Sequence, residues 1–84
     1  MNYPTLLAHA TMTDRLTDKQ QEVLRMAYLS GYFSWPRRST AEECADALGI
    51  AQPTFSQHVR AAQEKVIDRL FEDDLQRWLA RRAS

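Results

Sequence analysis

Three side chains are of the kind that hold metals or attack substrates: His9, Cys44 and His58. Their spacing fits no zinc pattern, so no metal and no cofactor is expected. The single Cys44 rules out an intrachain disulfide and suits a reducing interior. It falls on an apolar helix face and reads as a small core residue, since a reactive thiol needs cationic neighbours. With only Gly31 and Gly49, the chain has no glycine-rich phosphate loop. Glu42 and Glu43 are adjacent carboxylates, but they stand at a helix start, where capping and the helix dipole explain them. No catalytic constellation remains, and the chain does not read as an enzyme. What does remain is a set suited to binding: Ser56, Gln57 and Arg60 on one helix face, with Thr54 and Lys65 nearby and Arg37-Arg38 upstream. Gln suits the edge of adenine and Arg the edge of guanine in a duplex major groove.

The elements that must present this set run from Ser39 to Lys65. Ala41, Cys44, Ala45 and Leu48 have the i, i+3, i+4, i+7 spacing of one helix face. Gly49 supplies the permissive backbone where that helix stops, and Ile50 is a single apolar plug in the turn. Pro53 opens the next helix, where its missing N–H costs nothing. Phe55, Val59, Ala62 and Val66 then form an apolar stripe, with Ser56, Gln57, Arg60 and Glu64 on the other side. A short helix, a glycine turn and a helix with a polar outer face make a helix-turn-helix pattern. Ala51 stands where a serine-like cap would be preferred, an omission worth about 1 kcal/mol. Gln52 or a DNA phosphate is available to serve the free N–H groups.

Eighty-four residues allow one domain with a modest core. Eleven basic against eleven acidic residues leave no net charge, which counts somewhat against nucleic acid. A local basic patch suffices for docking, however, because affinity follows the side chains that reach phosphates. The N-terminus has no basic start followed by a long apolar run, and nothing resembles a membrane span. A soluble, cytoplasmic protein with no membrane partner is expected.

Residues 1–16 read as an arm or a short helix after Pro4, with Leu6, Leu7 and Ala10 as its apolar positions. Thr17 and Gln20 form a capping box for a helix that places Val23, Leu24, Ala27 and Tyr28 on one face and stops at Ser30-Gly31. In the loop that follows, Tyr32, Phe33 and Trp35 read as packing residues. Arg37 and Arg38 read either as phosphate contacts or as solvated loop charges. Thr40 with Glu43, or Ser39 with Glu42, gives a second capping box. From Pro53 to about Ala83 there is no glycine or proline, so one long helix or two collinear ones are expected. Its inner stripe continues through Val66 to Leu70. A second stripe of Ile67, Phe71, Leu75 and Trp78, with Leu79 beside it, lies on the side that Gln57, Arg60 and Glu64 occupy earlier. Two opposed apolar faces need a second partner. The favoured partner is the same helix of a second copy, giving a homodimer. The alternatives are residues 3–16 folded over it, or a break near Glu72 with local packing of the tail.

Residues 16–66 resemble the helix-turn-helix domain of the bacterio-opsin activator family of archaeal transcription regulators, the HTH-10 type. The resemblance rests on Leu16-Thr17 with Gln20, on Gly31-Tyr32-Phe33 followed by Trp35-Pro36-Arg37, and on the turn from Ala45 to Ile50. Thr54-Phe55-Ser56 with His58, Arg60 and Ala62 completes it. A broader likeness extends to LuxR-type regulators and sigma-factor region 4. The resemblance implies an all-α fold: a three-helix helix-turn-helix domain over 17–66, here followed by a C-terminal helical extension over 67–84. In that family the domain usually ends a longer protein with sensor modules ahead of it; here it is expected to stand alone.

Two functions fit these residues. The first is a sequence-specific regulator bound to double-stranded DNA, with residues 53–64 in the major groove. In it Ser56, Gln57 and Arg60 reach base edges, and Thr54, Arg37, Arg38 and Lys65 hold phosphates. His58 borders the core stripe and serves either packing or a phosphate. The second is an interaction module that no longer reads DNA and pairs with a longer regulator, other transcription factors or the transcription machinery. The zero net charge and the acidic run over residues 72–74 favour that reading.

Overall fold

Thr17 fixes where the first helix begins. Its hydroxyl accepts the Gln20 backbone N–H at 3.1 Å while the Gln20 carboxamide accepts the Thr17 N–H at 3.1 Å, closing the expected capping box. Helix α1 then runs Asp18–Leu29. Thr40 and Glu43 make the same reciprocal pair, at 3.1 and 2.8 Å, to start α2, Ala41–Leu48. Helix α3, Gln52–Ala83, is the third. The computed structural model describes residues 12–83, and no strand is present among them. The expected arm or helix at the N-terminus, with Leu6, Leu7 and Ala10, lies mostly outside the described residues.

Both short helices stop by the same device. Gly31 (φ +83°) and Gly49 (φ +69°) adopt the left-handed conformation that side chains with a Cβ avoid. The following residue folds back each time: Tyr32 N–H donates to the Ala27 carbonyl at 2.9 Å, and Ile50 N–H to the Ala45 carbonyl at 3.0 Å. Each turn therefore throws one apolar side chain, Tyr32 or Ile50, back onto the core.

That core consists of Val23 and Ala27 from α1, Cys44 and Ala45 from α2, and Phe55 and Val59 from α3. Leu16 and Ala62 are buried as well. Helix α3 is the common partner of the other two. The Tyr32 ring meets Phe55 edge-on, centroids 5.3 Å apart, and Phe33 edge-on at 5.2 Å. Phe55 is wholly enclosed, so its truncation to Ala would cost about 3–5 kcal/mol.

Helix α3 is unbroken through Glu72 and Asp74, which settles the choice between one helix and two. It outruns the body it packs on. Its inner stripe is buried at Phe55, Val59 and Ala62, half-buried at Val66, and half-open by Leu70. Leu70 is 47 % exposed among the described residues and stands outside the core cluster. Two other expectations also need correction. Tyr28 is 71 % exposed, because α1 turns the preceding position, Ala27, into the core. Trp35 is 96 % exposed at the tip of its loop, beside the cis bond to Pro36. Of the loop aromatics only Tyr32 is a packing residue in the full sense, with Phe33 half-covered.

Candidate nucleic-acid interface

The site starts from the Gly49 turn, which sets the direction in which α3 leaves α2. Phe55 and Val59 anchor α3 to the other helices, and helical geometry then turns Ser56, Gln57, Arg60 and Glu64 outward. All four are exposed. A shallow groove runs along this face, lined by Tyr32, Ser56, Gln57, Val59, Arg60 and Gln63. Thr54 is exposed in the first turn of α3, and His58 is half-buried, as its position beside the stripe implies.

One wall of the groove comes from the loop between α1 and α2. The Gly31 carbonyl accepts two backbone N–H groups, Ser34 at 3.1 Å and Arg38 at 3.0 Å, and Ser39 Oγ donates to the Ser30 carbonyl at 2.8 Å. The loop is thereby tied to the end of α1. Arg37 Nε donates to the Tyr32 carbonyl at 2.9 Å, and its guanidinium lies over the Tyr32 ring, 4.2 Å from the centroid. That stack holds a cation beside the groove in one orientation. Arg38 reaches Ser34 Oγ at a long 3.4 Å and is otherwise exposed.

Lys65 stands apart from this group. Its ammonium donates to Gln20 Oε1 at 2.8 Å, on the flank where α1 begins. The structure thus brings Ser56, Gln57 and Arg60 together, sets Arg37 at their edge through Tyr32, and gives Lys65 a partner within the fold. Sequence reasoning missed Tyr32 and Gln63 as groove residues. The position of Tyr32 just after the Gly31 stop was the available signal.

On the far flank of α3, Arg15 pairs with both Glu72 carboxylate oxygens, at 2.8 and 3.0 Å, and Arg69 approaches the same carboxylate at 3.3 Å. The hydrogen bond from Arg15 holds the Glu72 carboxyl below the usual glutamate value, against the opposing effect of desolvation, with the charges of Arg15 and Arg69 adding to it. Farther along α3, Ile67, Phe71, Leu75, Trp78 and Leu79 are each about half exposed. Among the described residues no group of three or more His, Cys, Asp or Glu side chains is placed to hold a metal ion. No described helix is long and apolar enough to cross a membrane.

Comparison with known proteins agrees with this architecture. The chain is 50 % identical over 62 residues to a Haloferax volcanii protein whose name marks it as a candidate transcriptional regulator, covering 74 % of this chain and 11 % of that one. It is 43 % identical over 58 residues to the bacterioopsin transcriptional activator of Halobacterium salinarum, covering 69 % and 9 %. Against the transcriptional regulator NarO of Haloferax volcanii it is 46 % identical over 59 residues, covering 70 % and 28 %. The matched region is thus a small part of each of these longer relatives. No solved structure matches the chain. The family model described as HTH DNA binding domain matches residues 16–68, which takes in the two glycine turns, the groove and the whole buried core. The chain belongs to this HTH_10 family of helix-turn-helix DNA-binding domains.

Proposed function

We infer that this protein is a homodimeric transcription regulator that binds double-stranded DNA sequence-specifically, with residues 53–64 of α3 in the major groove. The observation that carries the reading is the division of one helix. Phe55 and Val59 are buried, while Ser56, Gln57 and Arg60 on the opposite face are exposed and line a groove. In the groove Arg60 takes a guanine edge, Gln57 an adenine edge, and Ser56 either. Arg37, Arg38 and Thr54 hold phosphates and set the register, and Arg37 comes to the backbone already oriented by Tyr32. Lys65 retains two further donors after its bond to Gln20 and completes the phosphate set. The half-exposed stripe Ile67, Phe71, Leu75, Trp78 and Leu79 takes a second copy.

Fluorescence anisotropy against selected and scrambled duplexes at several salt concentrations tests this reading. Specific binding should weaken steeply with salt, and Arg60→Ala should cost about 1–3 kcal/mol and relax preference at one base pair. Binding that ignores both salt and sequence would instead favour an interaction module docked on other transcription factors, the reading that zero net charge supports.

A further inference from the structure

We propose that Trp35 is a DNA contact: its indole packs against the sugar–phosphate backbone that borders the major groove, beside the phosphate held by Arg37. The proposal rests on the DNA-binding reading above and adds to it a residue which that reading leaves without a role.

Among the described residues Trp35 is the most open of the large apolar side chains, at 96 % exposed. An indole carries roughly 200 Å² of mostly apolar surface and one N–H donor, and such side chains favour sites where one end meets an apolar partner and the other a polar one. The loop that holds Trp35 out is well tied. The Gly31 carbonyl accepts the N–H groups of Ser34 and Arg38, and Ser39 Oγ closes the base of the loop on the Ser30 carbonyl. Residues 35–37 are thereby pinched into a tip. Tyr32 packs edge-on against Phe55, and Phe33 against Tyr32. One loop thus gives two aromatics cover and holds the third away.

The surroundings of the tip select the partner. Arg37 and Arg38 follow Trp35-Pro36, and Arg37 stacks on Tyr32, which lines the same groove as Ser56, Gln57 and Arg60. Two residues of chain span no more than about 7 Å, so the Trp35 Cα lies within that distance of the Arg37 Cα. Charge is segregated in the same sense. None of the eleven acidic residues falls in 23–41 or 47–63, while Arg25, Arg37, Arg38 and Arg60 all do. Between these two stretches stand Glu42, Glu43 and Asp46 on α2. The zero net charge of the whole chain therefore conceals two segments without carboxylates, one carrying the loop and the other the reading turns of α3.

An apolar ring beside arginines, with no carboxylate in its segment, fits a polyanion that also has apolar faces. The deoxyribose–phosphate strand is such a polymer. Base stacking is not the role, since an intact duplex has no unstacked base to receive the ring. A backbone contact carries no sequence information, so Trp35 adds affinity and register while Gln57 and Arg60 supply the choice of bases.

The test uses the full chain carrying fluorotryptophan at both Trp35 and Trp78, with the Trp35 signal in the fluorine NMR spectrum identified by its loss in Trp35→Phe. A mixed-sequence duplex at low salt is the probe, because a backbone contact needs no particular operator. Saturating duplex should cut the solvent isotope shift of Trp35 by half or more. Trp35→Ala should weaken binding roughly tenfold, as expected for covering about a third of the indole. Its salt slope should match the parent's, whereas Arg37→Ala lowers the slope by about one. Its melting point should also match, since so exposed a ring supports nothing in the fold, and a structural role would move it.

A duplex that binds while Trp35 keeps its full solvent shift overturns the contact and leaves the DNA-binding reading standing. So does a Trp35→Ala variant that binds within about twofold of the parent. Shielding of Trp35 by phosphatidylserine vesicles but not by duplex overturns it in favour of a membrane surface. A parent that binds no duplex at low salt overturns the contact and the DNA-binding reading together.

Discussion

Lys65 Nζ donates to Gln20 Oε1 at 2.8 Å, and the same oxygen accepts the Thr17 backbone N–H at 3.1 Å. One carboxamide therefore closes the cap of α1 and fastens it to α3, 45 residues on. The lysine has two candidate roles, which differ in what they predict. As a fastener, its loss costs stability of about 1 kcal/mol, the usual worth of a part-exposed hydrogen bond. As a phosphate contact, its loss lowers the salt slope of DNA binding by about one. For Lys65→Ala we expect both: a melting midpoint lower by about 4–8 °C, as for a domain of this size, and a smaller salt slope. Arg60→Ala should leave the melting point nearly unchanged. Thermal unfolding and a salt titration on the same preparations separate the two roles.

The two glycines look alike in sequence and differ in consequence. Both have positive φ, so replacement by Ala costs about 1–2 kcal/mol in backbone strain at either position. At Gly49 a Cβ would meet nothing within 4 Å. At Gly31 it would lie 2.7 Å from Arg38 Cβ and 2.5 Å from Arg38 Nε, and the first of these atoms cannot move without the backbone. Gly31→Ala should therefore destabilise clearly more than Gly49→Ala by urea titration. It should also weaken DNA binding, since the loop it distorts carries Arg37 and Arg38. Equal effects of the two would show that the loop yields freely.

The parts of the fold governed by local rules were legible in the sequence. Thr17 with Gln20 and Thr40 with Glu43 announced two helix starts, Gly31 and Gly49 announced the stops, and the Phe55 and Val59 spacing fixed which face of α3 is outward. What escaped depends on where helices cross. The apolar period alone places Tyr28 and Leu70 on core-facing stripes, but they are 71 % and 47 % exposed. Aromatic type alone points Trp35 to packing, yet the short loop tied down at Gly31 projects it outward. In sequence Arg37 is a loop charge or a phosphate contact, and its stack on Tyr32 is a tertiary contact that no spacing rule contains. The Arg15 to Glu72 pair joins residues 57 apart and has no local signature.

That pair gives the fold an acid-sensitive fastening. Arg15 lowers the Glu72 pKa, chiefly through its hydrogen bond, so the carboxylate is favoured more in the folded state than in the unfolded one. The resulting stability is fully present above the ordinary glutamate value of 4.5 and is lost as pH falls through the lower folded value. The side chains of the pair are about half exposed, so the contribution is small and is reduced by salt. Glu72→Gln should remove this part of the pH dependence while leaving the neutral-pH fold intact. Carboxyl carbon shifts of Glu72, followed by NMR from pH 6 downward, should show a midpoint below 4.5 in the parent. In Arg15→Ala the midpoint should rise toward the ordinary value, with Arg69 still acting to lower it.

The outer stripe of α3 makes the most direct claim on behaviour in solution. Phe71 is 49 % and Trp78 50 % exposed on a helix that leaves its own core behind after Val66, so neither residue supports the monomer fold. Phe71→Asp should therefore leave helicity and the melting point of dilute protein almost unchanged while placing a carboxylate in the seam between two copies. A charge that must be buried unpaired costs several kcal/mol, enough to weaken association at least a hundredfold. Trp78→Ala removes area without adding charge and should weaken it less, by roughly tenfold, as for a truncated aromatic at an interface edge. Sedimentation equilibrium over a hundredfold range of concentration measures all three proteins directly. A parent that remains monomeric throughout, or a Phe71→Asp variant that associates as tightly as the parent, would show that the stripe serves some other partner. The dimeric half of the functional reading would then fall, while the groove beside Arg60 would be untouched.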